Sequence, residues 1–230
     1  MRQKTHVYFV PGLAANTKIF EYISLPEEKF ELHFLDWLLP TSINETIQEY
    51  AQRMCANIQH KNPILVGVSF GGVMAQEMSK LIDCKKVIII SSIKTNKELP
   101  KRLKIAQLTR AYKLFPSKII ANIESYEHYF FNDYLKKRAE LYKLYLSIRD
   151  KEYLSVRDET YLKWAIYNVL HWQQKEPLPN VVHIHGNKDE VFPVKHIKKY
   201  IEVENGTHVM ILNKAKTISK ILEKECFLNG

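Results

Sequence analysis

Apolar positions along the first hundred residues follow two alternating rhythms. Short runs at 6–10, 30–37, 63–68 and 86–92 have the length and the β-branched or aromatic content of strands. The last of them, Lys-Val-Ile-Ile-Ile-Ser-Ser, is nearly continuous, which marks a strand covered on both faces. Helical spacings fall between these runs. One is short, at 18–23. A second opens at Ser42, where Glu45 stands three positions on as in a capping box. It predicts a helix to about residue 59, with Ile43, Ile47, Tyr50, Ala51 and Met54 on one face. A third helix runs from 72 to 82. The alternation resumes near the carboxyl end with a strand at 181–185, a helix at 194–200, a short strand at 201–203 and a closing helix at 214–228. Strand and helix in turn specify an α/β fold, a mostly parallel sheet joined by crossover helices.

Residues 97–172 interrupt this pattern. They hold no β-branched strand run, and the stretches 99–112, 118–125, 132–149 and 158–172 all carry helical spacing. The expected organisation is a core of residues 1–96 and 173–230 with an inserted helical cap, or lid, of residues 97–172 over the carboxyl edge of the sheet.

Composition narrows the class. With 46% hydrophobic and 26% charged residues in 230, the chain has the balance of an ordinary globular protein. Its apolar stretches are strand-length, so no membrane span is expected. The apolar run before Pro11-Gly12 is too short for the core of a signal peptide. Three cysteines, Cys55, Cys84 and Cys226, are odd in number and lack metal-ligand spacing, which reads as reduced thiols and a cytoplasmic setting. The net charge of +9 is concentrated between Lys94 and Glu176, where 17 Lys and Arg face 10 Asp and Glu. No dense basic run is interleaved with aromatics there, so no nucleic-acid partner is expected and a solvated helical face is the reading. The same excess suits an anionic carrier such as coenzyme A. The sequence does not disclose the oligomeric state.

The chemistry centres on Gly67-Val68-Ser69-Phe70-Gly71, a G-x-S-x-G pentapeptide behind one strand pattern and ahead of a helix. A chain that turns sharply there exposes the serine at the apex, and the helix aims its positive end at the site. A serine hydroxyl becomes nucleophilic only when a base takes its proton and a third group orients that base. Asp189, in His185-Gly186-Asn187-Lys188-Asp189, and His208, in Asn205-Gly206-Thr207-His208, each lie just beyond a strand exit. A parallel sheet gathers its exits at one edge, so Ser69, Asp189 and His208 can converge as nucleophile, acid and base. Backbone N–H groups of Phe70 and of Leu13, in the loop after the first strand, are the candidate oxyanion donors. Asn16 reads as a helix cap. His185 is a competing base or a support for the Asp189 loop, and Glu98 is an alternative acid. No carboxylate and histidine cluster has metal spacing and no glycine-rich phosphate loop occurs, so neither metal nor cofactor is expected.

Taken together, the Pro11-Gly12-Leu13 loop, GVSFGG, HGNKDEVFP and NGTHVMI resemble the α/β-hydrolase superfamily, in its lidded serine hydrolase branch, over nearly the whole chain. The resemblance implies acyl transfer on a small acyl substrate, an ester or thioester, through an acyl-enzyme and without a cofactor. Alternatives are a thioesterase or acyltransferase using an anionic carrier, and a non-catalytic ligand receptor of the same fold. The chain departs from the family pattern by beginning at what is ordinarily the third strand, which leaves about six strands, and by Pro-Gly where many members have His-Gly. The aromatics Tyr126, Tyr129, Phe130, Phe131, Tyr134, Trp164 and Tyr167 read equally as the lining of an apolar pocket or as the internal core of the cap.

Overall fold

The computed structural model describes residues 4–114 and 158–227. Six strands form one sheet: β1 (Thr5–Val10), β2 (Phe30–Phe34), β3 (Ile64–Val68), β4 (Lys86–Ile90), β5 (Val181–Gly186) and β6 (Ile201–Val203), in the order β2-β1-β3-β4-β5-β6. Every neighbouring pair is parallel. The order turns back between β1 and β3, where the chain first steps outward to β2 and then crosses to the other side. Such a switch point opens a crevice at the strand exits. The central strands β3 and β4 are buried at all five positions, as their continuous apolar runs require.

The period-two alternation of β1 divides the core into two layers. Tyr8 and Val10 face a cluster with Leu65, Val87 and Ile89, covered by helices α1 (Ile47–Cys55) and α2 (Phe70–Met78). Val7 and Phe9 face the other layer with Val66, Ile88 and Ile90. That layer is closed by the turn Thr17–Phe20 and by the carboxyl-terminal helical segments. Helix α3 (Lys101–Leu108) buries none of its side chains. Helix α4 (Glu159–His171) does the opposite: Tyr161, Leu162, Trp164 and Ala165 enter the same cluster as α1 and α2. Trp164 stacks on Tyr50 with centroids 4.2 Å apart, and its indole N–H donates to the Glu45 carbonyl at 2.7 Å.

Several boundaries differ from the sequence expectation. Helix α1 begins at Ile47, not near Ser42. Its cap is Thr46, with Glu49 completing the capping box, and Ile43 is 46% exposed. Two overlapping boxes compete there. Arg53 and the Thr41 N–H claim the Glu45 carboxylate, at 2.8 and 2.7 Å, so the Ser42 box cannot close. The expected helix at 194–200 is a single 3-10 turn, Val194–His196, because Ile197 is extended and Lys199 is left-handed at φ 49°. The helix expected at 18–23 is likewise the 3-10 turn Thr17–Phe20, capped by Asn16, whose side chain accepts from the Lys18 N–H at 3.0 Å. The closing helix stands as expected, as α6 (Ala215–Phe227), and a short helix that the spacing did not mark, α5 (Met210–Asn213), precedes it. The helices expected at 118–125 and 132–149, with Tyr126, Tyr129, Phe130, Phe131 and Tyr134, lie outside the described residues. Cys55, Cys84 and Cys226 are free thiols, and among the described residues no helix is long and apolar enough to cross a membrane.

Candidate active site

Ser69 occupies the turn between β3 and α2 with φ 54° and ψ −118°, a conformation that costs a non-glycine residue about 1–3 kcal/mol. The surroundings hold it there. Its N–H donates to the Ile90 carbonyl at 2.9 Å, and the buried Ser92 hydroxyl donates to the Ser69 carbonyl at 2.7 Å. Gly71 lets the start of α2 lie directly against the end of β1. A Cβ there would stand 2.2 Å from the Pro11 carbonyl oxygen and 2.3 Å from that of Val10.

Three of the residues singled out from the sequence meet at this edge. His208 Nε2 lies 2.9 Å from Ser69 Oγ, and His208 Nδ1 lies 2.9 Å from Asp189 Oδ2. The other carboxylate oxygen of Asp189 accepts from the N–H groups of Val191 and Phe192, at 2.8 and 2.9 Å. Asp189 thus presents one oxygen to the imidazole while the loop pins the other. All three side chains are buried. Burial alone would raise the Asp189 carboxyl. The charge and hydrogen bond of His208, with His185 and the Phe192 N–H, outweigh it and hold the group below the usual carboxylate range.

His185 stands behind Asp189 rather than beside Ser69. Its Nε2 is 2.8 Å from the Phe192 carbonyl, to which it can only donate, and 3.5 Å from Asp189 Oδ2. The neutral ring then accepts at Nδ1 from His183 Nε2, 2.9 Å away. Burial pushes both of these histidines below the ordinary imidazole value, His183 furthest. Glu98, the alternative acid, turns its carboxylate to the N–H groups of Lys94, at 2.6 Å, and Lys198, at 3.3 Å.

The loop bearing Leu13 lies alongside. A Cβ on Gly12 would be 3.7 Å from Ser69 Cβ. Trp37, which no local motif marks, organises this corner. Its indole N–H donates to the Gly12 carbonyl at 2.9 Å, and its ring stacks on Phe70 at 5.3 Å. The loop of Leu13 and the residue after Ser69 therefore share one aromatic brace. Ser92 is a second contributor without a sequence signal. Of the aromatics weighed for a pocket, Trp164 is core, whereas Tyr167 is 45% exposed. Tyr167 lines a cleft of about 1140 Å³ with Ile43, Lys80, Arg110 and His171, and none of Ser69, Asp189 or His208 belongs to its wall.

Solved structures resemble this chain over most of their length. A bromoperoxidase described as putative and non-heme, BpoC from Mycobacterium tuberculosis, superposes with a TM-score of 0.66 at 13% identity, covering 97% of this chain and 92% of that one. The enol-lactonase of Burkholderia xenovorans gives 0.64 at 13% identity, with 99% and 93% covered. A thermophilic esterase from Thermogutta terrifontis gives 0.61 at 10%, with 96% and 89% covered. At such identities the likeness establishes the α/β-hydrolase fold. No curated protein matches the sequence. Residues 24–205 match the profile of an uncharacterised protein family, UPF0227.

Proposed function

For a chain that belongs to the family UPF0227 and carries the α/β-hydrolase fold, we propose the activity of a serine hydrolase acting on a carboxylic ester or thioester of a small substrate. The observation that carries this reading is the unbroken Ser69–His208–Asp189 chain, with both links at 2.9 Å. His208 takes the proton as Ser69 Oγ attacks the carbonyl carbon, and returns it to the departing alcohol or thiol. Water, deprotonated by the same imidazole, then releases the acid from the acyl-serine. Asp189 fixes the Nδ1–H tautomer and stabilises the imidazolium. The backbone N–H groups of Leu13 and Phe70 receive the oxyanion, and the 97–172 insertion acts as the lid. The lactonase and the esterase among the structural neighbours agree with this reaction class.

Arg110 and Lys113 line the open cleft beside Lys80 and Lys163, which pair with Glu77 and Glu159, and this basic excess favours a second reading, an acyl thioester presented on an anionic carrier. Turnover of graded p-nitrophenyl esters and acyl thioesters, with Ser69→Ala as the blank and a fluorophosphonate probe for the serine, tests the proposal. Turnover unchanged in Ser69→Ala rejects it. A KM that rises steeply with salt for thioesters alone selects the carrier reading.

A further inference from the structure

Near the start of β1, away from the strand exits that carry Ser69, three imidazoles converge from separate parts of the chain. His6 comes from β1, His33 from β2 and His60 from the turn before β3. Each offers a ring nitrogen within 4.8 Å of the other two. The parallel register sets this up, pairing His6 with Glu31 and Tyr8 with His33, so that all four side chains stand on one face of the sheet. His6 Nδ1 is 3.1 Å from His33 Nε2. The two Glu31 carboxylate oxygens lie 3.7 Å from the first nitrogen and 3.8 Å from the second.

We propose that His6, His33 and His60, with Glu31 as the fourth donor, form a binding site for a divalent zinc-class cation. Two donors held at about 2.0–2.1 Å by a tetrahedral zinc are roughly 3.3–3.4 Å apart. The His6–His33 pair is already near that separation, and the half-exposed Glu31 has the freedom to close the remaining few tenths. His60 stacks on His6 with centroids 3.5 Å apart and joins by tilting out of the stack. Tyr8 positions it: the tyrosine oxygen is 2.7 Å from His60 Nδ1 and accepts from the Gln59 N–H at 3.2 Å, a supporting contact of the kind that orients metal-bound histidines. Without metal, the His6–His33 contact is one N–H···N hydrogen bond. With metal, the lone pairs of both nitrogens turn to the cation by a change of tautomer, and no net proton is released.

Three nitrogens and one carboxylate suit zinc, with Cu²⁺ and Ni²⁺ as the natural competitors. The cation would tie the edge strand β2 to β1 and to the approach of β3, a stabilising role independent of hydrolysis. The test strips the full-length protein with a chelator and titrates Zn²⁺ against a chromophoric competitor, following the melting temperature in parallel. One ion per chain is expected, with Kd below about 1 µM and a melting temperature raised by several degrees. His33→Gln and His60→Gln should each weaken binding about 100-fold, and Ser69→Ala should leave it unchanged. Should the variants unfold, zinc-edge X-ray absorption on the wild type gives an independent answer, namely three imidazole ligands near 2.0 Å. The proposal fails if about 100 µM Zn²⁺ leaves melting unmoved, if His60→Gln binds as tightly as wild type, or if absorption shows fewer than two imidazoles.

Discussion

Gly186 and Gly206 pass so close that neither has room for a side chain: a Cβ on Gly186 would stand 2.1 Å from the Gly206 carbonyl oxygen. The Lys188 N–H donates to that same carbonyl at 2.9 Å, and Asn205 donates to the Asn187 side chain at 2.8 Å. The two loops that carry Asp189 and His208 are thereby sewn into one unit. Gly186→Ala should cost more than about 2 kcal/mol of stability, because only backbone is in the way. It should also lower turnover by about 100-fold, since the imidazole and carboxylate lose their mutual register. Urea unfolding and ester hydrolysis on the same sample check both; wild-type values in both would contradict the contact.

Ser69→Ala should leave the unfolding free energy within about 1 kcal/mol of wild type, since Ser69 Oγ is bonded to the imidazole rather than to the fold. The same change should reduce the rate of ester cleavage by about 10⁴-fold or more and abolish fluorophosphonate labelling. Mass spectrometry of the treated protein reads the second outcome directly.

Asp189→Asn should retain the loop, because its remaining carbonyl oxygen still accepts from Val191 and Phe192. An amide facing Nδ1 favours the wrong imidazole tautomer, and kcat is expected to fall by about 10³–10⁴-fold with little change in KM. Steady-state kinetics on a p-nitrophenyl ester decides it.

The core strands and the Ser–Asp–His constellation were legible because each depends on local signals. The runs of β3 and β4 are apolar at nearly every position. Ser69 sits in a pentapeptide flanked by a strand pattern and a helix pattern, and Asp189 and His208 follow strands that a parallel sheet aligns. What escaped the sequence depends on contacts across the fold. Ser42 and Thr46 each head a capping pattern with Glu three residues on, and the contacts of Arg53 and Thr41 with Glu45 decide between them. Lys199 adopts a left-handed turn that nothing in its neighbours announces. Trp37 and Ser92 brace the corner around Ser69 from separate strand ends, and His6, His33 and His60 meet only because β2 pairs beside β1 in one register.

The buried pair His183 and His185 makes a prediction about pH. Burial lowers both below the free imidazole value, so the folded state keeps them neutral where the unfolded chain, near pH 6.5, takes up protons. The unfolded state then binds more protons, and the contribution is complete above about pH 6.5 and lost as pH falls toward the depressed folded values. The lowered Asp189 carboxyl acts in the same direction further down, below about pH 4. The urea midpoint should therefore drop between pH 7.5 and 5.5, and His183→Gln should flatten that slope. An equal slope in the variant would locate the titration elsewhere.

Helix α4 returns to the body of the molecule instead of standing apart from it, with Tyr161 and Trp164 wedged beneath Trp37, Tyr50 and Phe70. A chimera that replaces residues 97–172 whole with the segment of another protein of this fold would remove those aromatics from the core they help to build. On the proposed reading of 97–172 as a lid, grafts that begin after residue 114 and rejoin before residue 158 keep those aromatic footings in place.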